Sequence, residues 1–149
     1  MSIKLELYQQ CLQKMTAKIE ASSKAFQSLQ ESLLSETKSS AGDKHETGRA
    51  MLQIEIEKAG NQLYALQEMK TVLQKIDPSL TSDKAHLGSV IYTNRAHYYL
   101  SISAGQLEIE ETVFFAVSAA SPIGQLLLGK QKNDQFYFGG NNFKILSVL

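Results

Sequence analysis

The chain has 149 residues, fifteen basic and fifteen acidic side chains, no tryptophan and one cysteine. That length allows one large domain or two small ones. Residues 1–77 carry ten basic and ten acidic side chains and residues 78–149 carry five of each, so neither half is the basic body of an autonomous nucleic-acid binder. A lone Cys11 excludes an internal disulfide and is compatible with the cytoplasm. Lys4 and Glu6 interrupt the first apolar stretch, and no apolar run reaches about 18 residues, so neither a signal peptide nor a membrane span is expected.

The first 76 residues contain no proline and are rich in Gln, Glu, Lys and Leu. Leu5, Tyr8, Leu12, Met15, Ile19, Ser22, Phe26, Leu29 and Leu33 recur at alternating steps of three and four, the signature of a heptad seam. Leu52, Ile56, Ala59, Leu63, Leu66, Leu73 and Ile76 repeat the rhythm until Pro78 stops it. The two stripes fold onto each other with a constant index sum. Leu33 with Leu52, Leu29 with Ile56, Phe26 with Ala59, Ser22 with Leu63, and Ile19 with Leu66 all add to 85. An antiparallel hairpin over 1–77 follows, turning between Gly42 and Asp43, and residues 78–83 read as a linker.

Residues 84–149 hold nine of the twelve aromatics and six of the nine glycines, and the period drops to two. The sequence predicts strands over 88–94, 97–103 and 113–117, with a turn at Ala104-Gly105. A short helix over 123–128 follows, with Ser121 as N-cap, Pro122 at the first helical position and Gly129 just past the end. Strands at 135–139 and 142–148 would flank a Gly140-Asn141 turn. The fold class is α+β: a helical hairpin followed by a small antiparallel-sheet domain with one short helix. Most of its aromatics are core, and Tyr99 or Tyr137 is a candidate for an exposed contact patch.

The hairpin tip, Ala41-Gly42-Asp43-Lys44-His45-Glu46, is polar where its flanks are apolar. Asp43 and Glu46 fit a capping box, with Asp43 as N-cap and Glu46 bonding back. They also fit a pair of carboxylates that hold Mg²⁺ or a water at the end of the hairpin, completing a site supplied by a partner. His45 lacks the second His or Cys that a metal site would want and reads as solvated. Cys11 reads as a structural thiol with no partner for nucleophilic catalysis, and His86 and His97 as linker and strand residues.

Residues 121–130, SPIGQLLLGK, then Asn133-Asp134 and Gly139-Gly140 leading into FKILSV, resemble the C-terminal signature of the bacterial Gre transcript cleavage factors. Gly88-Ser89-Val90 is similar to the first strand of the same domain, and the tip GDKHE resembles that family's G-D-[LI]-x-E-N. The resemblance implies a long antiparallel coiled coil followed by an FKBP-like domain, and a cytoplasmic transcription elongation factor that binds RNA polymerase. The globular domain would dock outside and the coiled coil would enter the secondary channel. Asp43 and Glu46 would help hold the Mg²⁺ of the polymerase's own active site, which cuts the 3′ end of backtracked RNA. The chain would be no enzyme in its own right and would carry no cofactor of its own. It departs from the pattern at Thr47, Gly48-Arg49 and Ala50. Three other readings stand beside cleavage: a secondary-channel regulator of the DksA type that does not cut, a coiled-coil scaffold, and an FKBP-like prolyl isomerase.

Overall fold

The computed structural model describes residues 2–38 and 43–149, apart from the side chains of residues 37, 38 and 43–45. Two long N-terminal helices precede a six-stranded, mostly antiparallel sheet with one short helix, an α+β arrangement. The helices are α1 (Ile3–Lys38) and α2 (Asp43–Gln74). The Gly42 side of the expected turn lies outside the described residues. No helix among the described residues is long and apolar enough to cross a membrane. The chain divides into two compact units, Met15–Glu68 and Met1–Lys14 with Met69–Leu149.

In the Met15–Glu68 unit, burial follows the heptad rhythm. Apart from buried Met15, the shielded positions of α1 are Ile19, Ser22, Phe26, Leu29, Leu33 and Glu36. Those of α2 are Gly48, Leu52, Ile56, Ala59, Gly60, Leu63 and Leu66, and every other described residue of the unit is exposed. Steps of three and four keep one stripe on one side of a 3.6-residue helix. A Cβ built at Gly60 would lie 3.3 Å from the Phe26 ring, and one at Gly48 would lie 2.9 Å from Glu36 Oε1. Both contacts pair residues whose numbers add to within one of 85.

The other unit holds the sheet. Its strands are β1 (Val90–Thr93), β2 (His97–Ser101), β3 (Gly105–Ile109), β4 (Thr112–Ser118), β5 (Gln135–Phe138) and β6 (Asn141–Val148), in the order β3-β4-β2-β1-β6-β5. The pairing is antiparallel except that β4 runs parallel to β2. The β3 strand corrects the sequence reading, which ends the second strand in a turn at Ala104-Gly105 and leaves 105–109 unassigned. The last hairpin also shifts by one residue: the turn is Gly139-Gly140, with φ of 59° and 82°. Two positive φ values are what a two-residue type I′ turn needs, and two glycines supply them without a Cβ clash.

The sheet is covered on both faces at β2, which is buried at four successive residues, Tyr98 to Ser101. On one face Ile91, Tyr98, Leu100, Phe143 and Ile145 pack with Ile123 and Leu127 of α3 (Pro122–Leu127). Phe136 and Phe143 stack with centroids 4.9 Å apart. On the other face, the Cys11 thiol lies 4.0 Å from Ser101 Oγ. Lys14 Nζ donates to the carbonyls of Ala104 (3.2 Å) and Gln106 (3.0 Å). The start of α1 therefore turns a second stripe, Lys4, Leu7 and Cys11, into the interior, beside the half-buried Leu5, Tyr8 and Leu12 of the heptad seam.

Lys4 is 3% exposed, and its ammonium donates to the carbonyls of Leu80 and Leu149. Burial holds its pKa below the usual lysine value, against a smaller opposing pull from Asp77. The folded state then releases this proton at a lower pH than the unfolded chain does. Stability should rise with pH in the window just below 10.5, where unfolded Lys4 is still protonated. Urea unfolding across that window, wild type against Lys4→Met, should show the rise in the wild type and a flatter curve in the variant.

The β3–β4 turn offers a second test. Glu110 and Glu111 occupy it with φ of 48° and 67°, left-handed backbone on two residues that have a Cβ. Each such residue costs on the order of 1 kcal/mol. Glu110→Asn/Glu111→Gly, the favoured type I′ pair, should stabilise the fold by about 1 kcal/mol, read as a melting-temperature rise of about 3 °C.

Candidate functional site

The residues singled out at the hairpin tip are Asp43 and Glu46. Asp43 is the first residue of α2, and its side chain, with those of Lys44 and His45, lies outside the described residues. The residues before Asp43, which would fix where α2 begins and so the capping-box register, lie outside the described residues. Glu46 is exposed. Its carboxylate sits within the N-terminal turns of a 32-residue helix, where the partial positive charge of the free N–H groups favours an anion.

One acid near the tip was missed by the sequence reading. Glu36 continues the seam three residues past Leu33 and is half-buried. Its carboxylate approaches the α2 backbone at Gly48, where a Cβ would stand 2.9 Å from Glu36 Oε1. The signal was available: a heptad step from Leu33 lands on Glu36, and a glycine faces it at an index sum of 84. An acid at a seam position carries no apolar signal, so the apolar spacing ends at Leu33.

The other candidates are structural. Cys11 is fully buried, and burial pushes its thiol up to about 11, so it is no nucleophile near neutral pH. His86 Nδ1 lies 2.9 Å from Ser89 Oγ and 3.2 Å from the Lys84 carbonyl, holding the turn into β1. His97 is packed between Tyr92 (centroids 4.9 Å apart) and Phe114 (5.8 Å), and burial lowers its pKa. Tyr99 is fully buried, which corrects its candidacy for an exposed patch, whereas Tyr137 is 68% exposed. The sequence could not separate them: both lie on strands, but β2 is central and covered on both faces while β5 is an edge strand.

The SPIGQLLLGK segment folds as a capped helix. Ser121 Oγ accepts from Gly124 N at 3.1 Å and donates to the Ser118 carbonyl at 2.6 Å. Gly129, at φ 78°, ends the helix, and its N–H donates to Ala85 O at 2.8 Å. Among the described residues no group of three or more His, Cys, Asp or Glu side chains could hold a metal ion. No protein-family model matches the chain, and no curated protein matches it.

Proposed function

We propose that this protein is a Gre-like factor that binds RNA polymerase through the secondary channel and stimulates cleavage of backtracked RNA. In this reading α1 and α2 pair as an antiparallel coiled coil, and the sheet with α3 is an FKBP-like docking domain. The observation that carries the reading is a pair of heptad-patterned helices with Asp43 opening the second and exposed Glu46 three residues on. The Phe26–Gly60 and Glu36–Gly48 contacts support the antiparallel register.

The mechanism follows from what two carboxylates can do. Mg²⁺ takes one or two protein carboxylates and fills its shell with water and phosphate oxygens. Asp43 and Glu46 would add ligands to an ion that the polymerase already holds, and would orient a water toward the scissile phosphate. The Mg²⁺ belongs to the polymerase, and this chain supplies only carboxylates. Thr47, Gly48, Arg49 and Ala50 break the family's tip pattern and favour, as a second reading, a channel-binding regulator that does not cut.

The test adds the protein to stalled, backtracked elongation complexes with Mg²⁺ and reads transcript length, with co-sedimentation on polymerase in parallel. Shortening with binding supports the cleavage factor. Binding without shortening selects the non-cutting regulator. Absence of binding rejects both and leaves the coiled-coil scaffold.

A further inference from the structure

Strand β3 ends the sheet on one side, in the order β3-β4-β2-β1-β6-β5. An edge strand presents a row of unpaired backbone groups that can template pairing with another chain. Ile109 and Thr112 close the two-residue turn between β3 and β4, and Leu107–Phe114 and Gly105–Ala116 follow them down the ladder. The closing pair of such a turn is hydrogen-bonded, and bonded pairs alternate along an antiparallel ladder. Gln106 and Glu108 therefore turn their N–H and C=O groups away from β4. The strand has little protection of its own. Its sequence, GQLEI, holds no proline and no lysine, and its register on β4 runs without a bulge. Those are the usual means of blunting an edge.

The first helix supplies what β3 lacks. Lys14 Nζ donates to Ala104 O at 3.2 Å and to Gln106 O at 3.0 Å. Gln10 Nε2 donates to Glu108 O at 3.0 Å. Both outward carbonyls of β3, and the one just before the strand, are thus capped from α1. The spacings match. Four residues of helix rise about 6 Å, and two residues of strand about 7 Å, so donors at i and i+4 meet carbonyls at j and j−2. Gln10 lies over Glu108 and Lys14 over Gln106, so α1 runs against the direction of β3 here.

We propose that Gln10 and Lys14 guard a latent pairing edge, and that without them β3 pairs antiparallel with β3 of a second copy of this chain. The edge is self-complementary. A two-fold axis at Leu107 sets Gln106 opposite Glu108 of the second copy, and Glu108 opposite its Gln106. The outward N–H and C=O groups then pair reciprocally, four bonds in all about the axis. In that register Glu110 falls opposite Ala104, so no two like charges stand directly opposite each other, the arrangement that destabilises a strand pair. The inference stands independently of the polymerase reading.

The test is sedimentation equilibrium of the full chain over a series of concentrations, wild type against Gln10→Ala/Lys14→Ala, with a thermal melt to confirm that each variant folds. A short strand pair makes a small interface, so the variant should dimerise with a Kd of about 10⁻⁴ M. Its mass should climb toward twice the 16.5 kDa of one chain. The wild type should associate at least about ten-fold more weakly. Adding Glu108→Pro to the double variant should restore the single-chain mass. The Glu108 N–H faces outward, so proline there removes an edge donor and spares the β3–β4 ladder. If the double variant does not fold, Lys14→Ala alone, which frees two of the three carbonyls, carries the same expectation. A folded variant that associates no more than the wild type overturns the proposal. So does association that Glu108→Pro leaves in place, since it would run through a surface other than β3.

Discussion

Asp43→Ala/Glu46→Ala is expected to slow Mg²⁺-dependent transcript shortening by about 100-fold or more, the usual cost of removing groups that position a proton-transfer partner or a metal-bound water. Binding to polymerase should stay within about two-fold, because the docking contacts lie elsewhere in the proposed arrangement and rim charges contribute little affinity. Glu46 is exposed, so its loss removes no packing, and the melting temperature should hold. The Mg²⁺ dependence separates a ligand from a bystander. If the carboxylates help hold the ion, the double variant needs more Mg²⁺ for the same rate, and saturating Mg²⁺ restores part of it. If they only cap α2, the variant loses helix stability and keeps the wild-type Mg²⁺ profile. Wild-type cleavage by the double variant would remove these acids from the chemistry. Glu46→Gln adds resolution: it keeps the side chain's size and removes its charge, so a rate loss there is electrostatic.

The sequence was most informative where one periodicity ran long. Over Met15–Glu68, every seam residue named from spacing alone is shielded from solvent, joined only by Glu36, Gly48 and Gly60, because a 36-residue and a 32-residue helix average out local irregularity. It was least informative where one element met another. Cys11 and Leu7 lie off the heptad seam, yet they are fully buried because the sheet covers a second side of α1. Strand β3 was missed for a chemical reason. Its hairpin turns on Glu110-Glu111 at positive φ, and neither residue is a turn signal. The parallel β2–β4 pair followed from the same omission, since inserting β3 at the edge sets β4 beside β2 in the same direction. At the tip, the two acids were legible as residue types.

Gly124→Ala should destabilise the protein by about 3 kcal/mol, lowering the melting temperature by roughly 10 °C. Helix propensity alone predicts the opposite, since alanine is better than glycine in a helix by about 1 kcal/mol. Crowding decides the sign. A Cβ at Gly124 would lie 2.0 Å from the Ser118 carbonyl oxygen and 2.9 Å from Ala119 Cα, both backbone atoms that no rotamer change can move aside. Ser118 O also accepts from Ser121 N at 3.1 Å and from Ser121 Oγ at 2.6 Å. Pushing it away therefore loosens the cap that receives Gly124 N–H, a loss of about 1 kcal/mol by itself. The strain then passes to Ile123 and Leu127, which anchor α3 in the core. Gly129→Ala is the matched control. A Cβ there meets nothing within 4 Å, and only the left-handed φ of 78° resists it, at about 1 kcal/mol. Equal losses in the two variants would mean that backbone conformation, not close approach, fixes both glycines. A Gly124→Ala protein as stable as wild type would show that α3 does not sit against the end of β4 as described.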